Sequence, residues 1–160
     1  MLVAPEIPQN TGNIIRLCAN TGSRLHLVKP LGFNLDHPGL RRASLDYKDI
    51  SDILVHDSLD ELSEYVNICE AYGATSSSNN SYIMPKYELG STVIFGSESV
   101  GLPCGLLSKL KCERRVRIPM LPDNRSLNIS NAVAIIVYEI WRQNNFEGKS
   151  EISPSGNPYF

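Results

Sequence analysis

Apolar residues along this chain gather in short runs separated by Gly, Pro, Asn and Asp, a pattern that favours buried strands over long surface helices. Six runs stand out: residues 1–4 (MLVA), 24–28 (RLHLV), 53–56 (ILVH), 69–75 (CEAYGAT), 91–95 (STVIF) and 115–120 (RVRIPM). Between them the spacing turns helical. Ile14, Leu17 and Cys18 share one side of residues 13–19, which stop at Asn20-Thr21-Gly22. Ser58-Leu59-Asp60-Glu61 is a capping box that opens a helix running to residue 66. Residues 106–110 read as a short helix, and another, begun by Asp36, carries Arg41 and Arg42. Strands alternating with helices predict an α/β fold, with a mainly parallel sheet and helices on both faces.

The last patterned stretch, residues 117–141 (RIPMLPDNRSLNISNAVAIIVYEIW), carries the most chemistry. Pro119, Pro122 and Asp123 forbid regular structure. Ser126, Asn128, Ser130 and Asn131 then supply donors and acceptors where a helix N-terminus leaves N–H groups free. Beyond them AVAIIVYEIW is apolar almost all round, which predicts a helix buried on more than one side and covered by a second copy of the chain. Periodicity is lost after Trp141, so residues 1–145 read as a single domain and residues 146–160 as a flexible tail. At the other end, Asn10, Thr11, Gly12 and Asn13 read as a loop at the carboxyl end of the first strand, where open α/β sheets place ligands.

Composition narrows this picture. A chain of 160 residues, 42% of them hydrophobic, is long enough to bury one real core. A formal charge of -2 gives no global case for nucleic acid, so any such case is local. Lys109, Lys111, Arg114, Arg115 and Arg117 place five cations in nine positions, and Arg41, Arg42 and Arg142 extend the candidate patch. The four cysteines form no Cys-x-x-Cys and the three histidines no close ligand pair, which argues for no metal and for a reducing compartment. With no signal-like N-terminus, and no apolar run near the ~20 residues that span a bilayer, the chain reads as cytoplasmic and free of the membrane.

The loop from Gly96 to Gly101 has phosphate-loop spacing, but Leu102-Pro103 stands where Lys-Ser or Lys-Thr would be needed and Glu98 would repel phosphate. A carboxylate in a glycine loop suits a ligand that is neutral or positive at the contact. A sulfonium cofactor with an adenine and a ribose fits that description better than a polyphosphate. Two glycines making a tight turn is the plainer reading of the same loop.

Three segments taken together go further. NTGNIIR (10–16), FGSESVGLP (95–103) and IPMLPDNRSLNISNAV (118–133) resemble, in order and spacing, the three motifs of the SpoU-type 2′-O-methyltransferases of the SPOUT class. The likeness extends to residue 143 and is strongest to the small single-domain members that methylate the anticodon wobble nucleotide of tRNA. It implies a parallel sheet whose C-terminal part is threaded into a deep trefoil knot, a topology that general rules of chain connection disfavour. It further implies S-adenosyl-L-methionine as cofactor, a homodimer with the last helix in its interface, and the wobble cytidine or modified uridine of leucine-type tRNAs as target.

Carried over by position, the resemblance puts Ala74, Thr75, Gly96, Glu98, Ile118, Ser126 and Leu127 around the cofactor, with backbone groups of Ala74, Gly96 and Ile118 holding the adenine and ribose. It makes Asn10, Arg16, Ser126 and Asn128 the catalytic set, and puts Arg41, Arg42, Tyr138 and Arg142 on the RNA side. A guanidinium stays protonated, so the role read for Arg16 is pairing with a phosphate and stabilising a developing alkoxide, with Ser126 and Asn128 orienting the hydroxyl. Val100 stands where members commonly carry Arg, and TSSSNNS (75–81) lacks a basic residue common there; both bear on the choice of tRNA. Two other readings remain open at this level: a non-catalytic RNA-binding protein on the same knotted scaffold, and a methyltransferase for another RNA such as ribosomal RNA.

Overall fold

A computed structural model describes residues 1–38, 40 and 53–149. Arg41, Arg42 and residues 150–160 lie outside the described residues. Strands β1 (Leu2–Val3), β2 (His26–Val28) and β3 (Leu54–His56) pair in parallel in that order, and β4 (Tyr72–Ala74) lies between β5 (Val93–Ile94) and β6 (Arg115–Val116), again in parallel. The two groups join where Val3 N–H donates to Phe95 O at 2.9 Å and Phe95 N–H donates to Met1 O at 3.0 Å. Leu2 and Phe95 form a parallel bridge at that seam. Across the described sheet the order is therefore β3-β2-β1-β5-β4-β6.

Alternation along each strand divides the core in two. Leu2, Leu27, Val93, Phe95 and Val116 face a cluster closed by Ile14, Ile15 and Cys18 of α1 (Pro8–Thr21) and by Val133 and Ile136 of α4 (Ile129–Gln143). Val3, Val28 and Ile94 face the opposite cluster, closed by Leu62 of α2 (Leu59–Tyr65) and Leu106 of α3 (Cys104–Leu107). Helices thus cover both faces of a parallel sheet, as the alternation of elements predicts. Each fully buried Leu or Ile contributes roughly 1.5–3 kcal/mol of transfer free energy.

Element boundaries moved in informative ways. Asn10 to Asn13 are helical, not loop: α1 starts at Pro8, whose fixed φ and missing N–H suit a first helical turn. It ends at Gly22 with φ 65 and the Gly22 N–H bonded to Cys18 O. Ser58 Oγ accepts from Glu61 N–H at 3.1 Å as a capping box requires, but the Glu61 carboxylate accepts from Asp57 N–H at 2.7 Å, one residue before the cap. Residues Ile68–Glu70 form a tight 3-10 turn capped by Asn67, so β4 is shorter than the apolar run suggests. α3 begins at Cys104, ahead of the predicted 106–110. The final helix begins at Ile129 with Asn128 as its cap. Within one chain only Val133 and Ile136 of that helix are buried, while Ile135 and Trp141 are half-covered and Tyr138 is 46% exposed.

Candidate functional site

The sheet reverses its direction of winding between β1 and β5, and a crevice opens outside the carboxyl ends of the strands, the place where open α/β sheets bind ligands. A cavity of about 590 Å³ occupies it. Ile7 and Asn10 contribute from the segment after β1, Ala74 to Ser77 from the end of β4 onward, Phe95 to Leu102 after β5, and Val116, Ile118 and Met120 from β6 onward. Leu107 contributes from α3, and Ser126, Leu127, Asn128, Ile129 and Ala132 from the start of α4 and the residues just before it. Ala74, Phe95, Val116, Ile118 and Ala132 make an apolar floor, and Thr75, Ser76, Ser77, Ser126 and Asn128 a polar border.

The turn after β5 is closed on itself. Gly101 N–H donates to Ser97 O at 2.9 Å, and Gly101 holds φ 77, a conformation other residues rarely adopt. A Cβ on Gly96 would stand 1.9 Å from the Gly101 carbonyl carbon. Both glycines are thus required by the turn, and the same turn forms one wall of the cavity.

This turn is clasped to the start of α1. The Glu98 carboxylate accepts from Glu6 N–H at 2.8 Å, Ile7 N–H at 3.2 Å and Asn10 Nδ2 at 3.0 Å. In return, the Glu6 carboxylate accepts from Ser99 N–H at 3.2 Å and Ser99 Oγ at 2.6 Å. Glu98 thereby holds the N–H of the cap residue, Ile7, and of Glu6 before it, and sets a negative charge at a helix N-terminus. Asn10 Oδ1 in turn accepts from Asn128 Nδ2 at 2.9 Å, tying α1 to the cap of α4 across 118 positions of sequence.

Asn10, Ala74, Thr75, Gly96, Glu98, Ile118, Ser126, Leu127 and Asn128 therefore line one cavity. Arg16, Tyr138 and Arg142 do not. Arg16 is exposed on α1, and Arg142 makes a two-pronged ion pair with Glu139, with both contacts at 2.8 Å. Much of the basic run is already engaged: Lys111 and Arg114 both pair with Glu70, Arg114 lies 4.8 Å over the Tyr72 ring, and Arg115 donates to Leu110 O. Lys109 and Arg117 make no ion pair among the described residues. Sequence reasoning passed over the roles of Glu6 and Ser99, because nothing local to either turn shows that the two face each other.

The SpoU rRNA Methylase family matches this chain over residues 1–138. The chain belongs to that family. A tRNA (cytidine(34)-2′-O)-methyltransferase of Burkholderia cenocepacia is 49% identical over 150 residues, covering 92% of this chain and 96% of that protein. A structure solved for insight into the 2-OH methylation of C/U34 on tRNA aligns with a TM-score of 0.82 at 37% identity, over 91% of this chain and 95% of that one. The SpoU methyltransferase AviRb of Streptomyces viridochromogenes, solved with AdoMet, shares the fold with a TM-score of 0.77 at 23% identity, over 91% of this chain and 59% of its own. In this SpoU methylase the three motif segments recognised in the sequence converge on one cavity: Asn10 from the first, residues 95–102 from the second, and Ile118 to Ala132 from the third.

Proposed function

We propose that the protein transfers a methyl group from S-adenosylmethionine to the ribose 2′-hydroxyl of nucleotide 34, the wobble position, of leucine-type tRNAs. The carrying observation is the convergence of all three motif segments on one cavity in a chain that aligns nearly end to end with a tRNA C34 methyltransferase. The cavity suits the cofactor in size and lining. Its ~590 Å³ falls in the range of small-ligand sites. The floor formed by Ala74, Phe95 and Ile118 takes an adenine, and Thr75 and Ser126 border it for the sugar, with Gly96 and Leu127 closing the sides.

When bound, S-adenosylmethionine would supply an electrophilic methyl on its sulfonium; the O2′–C bond would form as the S–C bond breaks, with the hydroxyl proton passing to water. The chain has to align the hydroxyl and stabilise the charge that grows on its oxygen. Ser126 and Asn128, at the mouth of the cavity, orient the hydroxyl. Arg16, exposed and free of an ion pair among the described residues, pairs with a phosphate beside the target ribose; Arg41, Arg42, Tyr138 and Arg142 make further RNA contacts. Turnover by Arg16→Lys on saturating tRNA should fall clearly below wild type, because an ammonium lacks the planar fork. Undiminished turnover would remove Arg16 from the mechanism.

The finer topology belongs to the same reading. Arg117 N–H donates to Asn80 O and Tyr82 N–H to Arg117 O, while Gln143 holds Tyr87 N–H and Pro85 O through its side-chain amide. The segment between β4 and β5 is thus bonded to both ends of the stretch from β6 through α4, contacts that support the threaded C-terminal part the family resemblance implies. The half-covered face of α4 supports a homodimer, and a tRNA substrate places the work in the cytoplasm. The test is incubation of the purified protein with labelled S-adenosylmethionine and, in separate reactions, bulk tRNA and ribosomal RNA, followed by nuclease digestion and mass spectrometry. A 2′-O-methyl group at position 34 is the expected result. Label appearing only in ribosomal RNA, or nowhere, would overturn the assignment.

A further inference from the structure

Four side chains from three separate parts of the chain form an unbroken hydrogen-bonded series beside the cavity. Asn10 Nδ2 donates to Glu98 at 3.0 Å, Asn128 Nδ2 donates to Asn10 Oδ1 at 2.9 Å, and Asn128 Oδ1 accepts from Ser130 Oγ at 2.6 Å and Ser130 N–H at 2.9 Å. Both ends are pinned by main-chain donors. The N–H groups of Glu6 and Ile7 meet the two Glu98 oxygens, and the N–H of Ser130 meets Asn128. Backbone donors cannot reverse, and an ionised carboxylate can only accept. Only one arrangement of the two amides satisfies both ends, each presenting its nitrogen toward Glu98 and its oxygen toward Ser130. Turning over either amide would set donor against donor or acceptor against acceptor at partly buried positions.

We propose that this series is a one-way brace that fixes the two amides at the reacting sugar, and that Glu98 and Ser130 are positioning residues acting through Asn10 and Asn128. Glu98 already receives three N–H donors of the protein itself, so its charge organises the start of α1 and the amide of Asn10. At the far end, one N–H of Asn128 Nδ2 is engaged by Asn10, which leaves the second for the sugar oxygen. The consequence for turnover rests on the methyl-transfer reading above; the brace itself is a property of the folded chain.

Glu98→Gln keeps the shape and frustrates the series. Its amide nitrogen must oppose either the Glu6 N–H or the donors of Ile7 and Asn10, and a reversed Asn10 passes the conflict on to Ser130 N–H. Ser130→Ala removes the shorter of two donors, and Ser130→Thr restores a hydroxyl. Expected are a kcat lowered about 10- to 100-fold in Glu98→Gln and about 10-fold in Ser130→Ala. Recovery is expected in Ser130→Thr, with the cofactor dissociation constant unchanged by calorimetry in both Ser130 variants. In 15N spectra of the protein alone, the side-chain amide signals of Asn10 and Asn128 should both shift in Glu98→Gln and in Ser130→Ala. That readout needs no RNA, so a wild type that leaves tRNA unmethylated would refute the function while the brace is still judged. Unshifted amide signals would overturn the brace, and so would a Ser130→Ala variant that melts earlier yet keeps full kcat. Loss of cofactor affinity at unchanged kcat in Glu98→Gln would make Glu98 a cofactor ligand instead. Should Glu98→Gln fail to fold, the Ser130 pair decides alone.

Discussion

At the scale of single residues, the cavity depends on contacts too close for any side chain. The Cβ of an alanine at position 96 would lie 1.9 Å from the carbonyl carbon of Gly101 and 2.2 Å from the nitrogen of Leu102, and backbone cannot yield as a side-chain tip can. Gly96→Ala must therefore open the turn. Overpacking of this kind costs about 1–3 kcal/mol, and if the cavity wall bears that cost the S-adenosylmethionine dissociation constant should rise about 5- to 150-fold by calorimetry. Gly105→Ala, where a Cβ meets nothing within 4 Å, is the matched control and should bind as wild type. An unchanged constant in Gly96→Ala would remove the turn from the cofactor pocket. The identities of these residues were legible in sequence because motifs fix residue type and spacing. Their partners were not: nothing local in PEIPQN announces that Glu6 and Glu98, 92 positions apart, exchange contacts with each other's turns.

At the scale of elements, the strand pair β2–β3 carries a feature that linear spacing hid. His26 and His56 make no close ligand pair along the chain, yet parallel pairing of their strands sets His26 Nδ1 2.9 Å from His56 Nε2 with the rings stacked. Burial above all, with the chain amine, His56 and Arg24 adding to it, lowers the pKa of His26 from 6.5 to about 4. The unfolded chain takes up this proton near pH 6.5 and the folded chain resists it until about pH 4, so the unfolded state binds more protons between these values. Stability from this site is complete above pH 6.5 and is lost as pH falls toward 4. Melting temperature followed against pH should decline less steeply over that window in His26→Gln than in wild type; parallel curves would refute the assignment. Helix starts were misjudged for a related reason. Asn10 to Asn13 carry loop-like residue types, but the start of α1 is held by Glu98, on a distant loop invisible to local propensity.

At the scale of the whole molecule, strand order was beyond the reach of pattern. Strands of two or three residues specify that they are buried and parallel, not which neighbour each one takes. The order β3-β2-β1-β5-β4-β6 matters because it brings the carboxyl ends of β1, β4, β5 and β6 together around one cavity. The same assembly leaves the final helix unfinished. Ile129, Ala132, Val137 and Ile140 pack against the core, whereas Ile135, Tyr138 and Trp141 stand off it, with Tyr138 and Trp141 edge to face at 5.7 Å. A second copy covering this strip would account for a helix that is apolar almost all round yet has only two fully buried residues. Ile135→Asp would then put an unpaired carboxylate at the centre of the seam, and sedimentation should find one chain where wild type shows two. Every proposed cofactor residue lies in the cavity of a single chain, so this variant should still bind S-adenosylmethionine. Arg16 stands outside that cavity, so RNA turnover should suffer more than cofactor affinity if the substrate spans both copies. A wild type that sediments as one chain would rule out the seam, and equal loss of cofactor affinity and turnover in Ile135→Asp would trace its defect to the fold of the single chain.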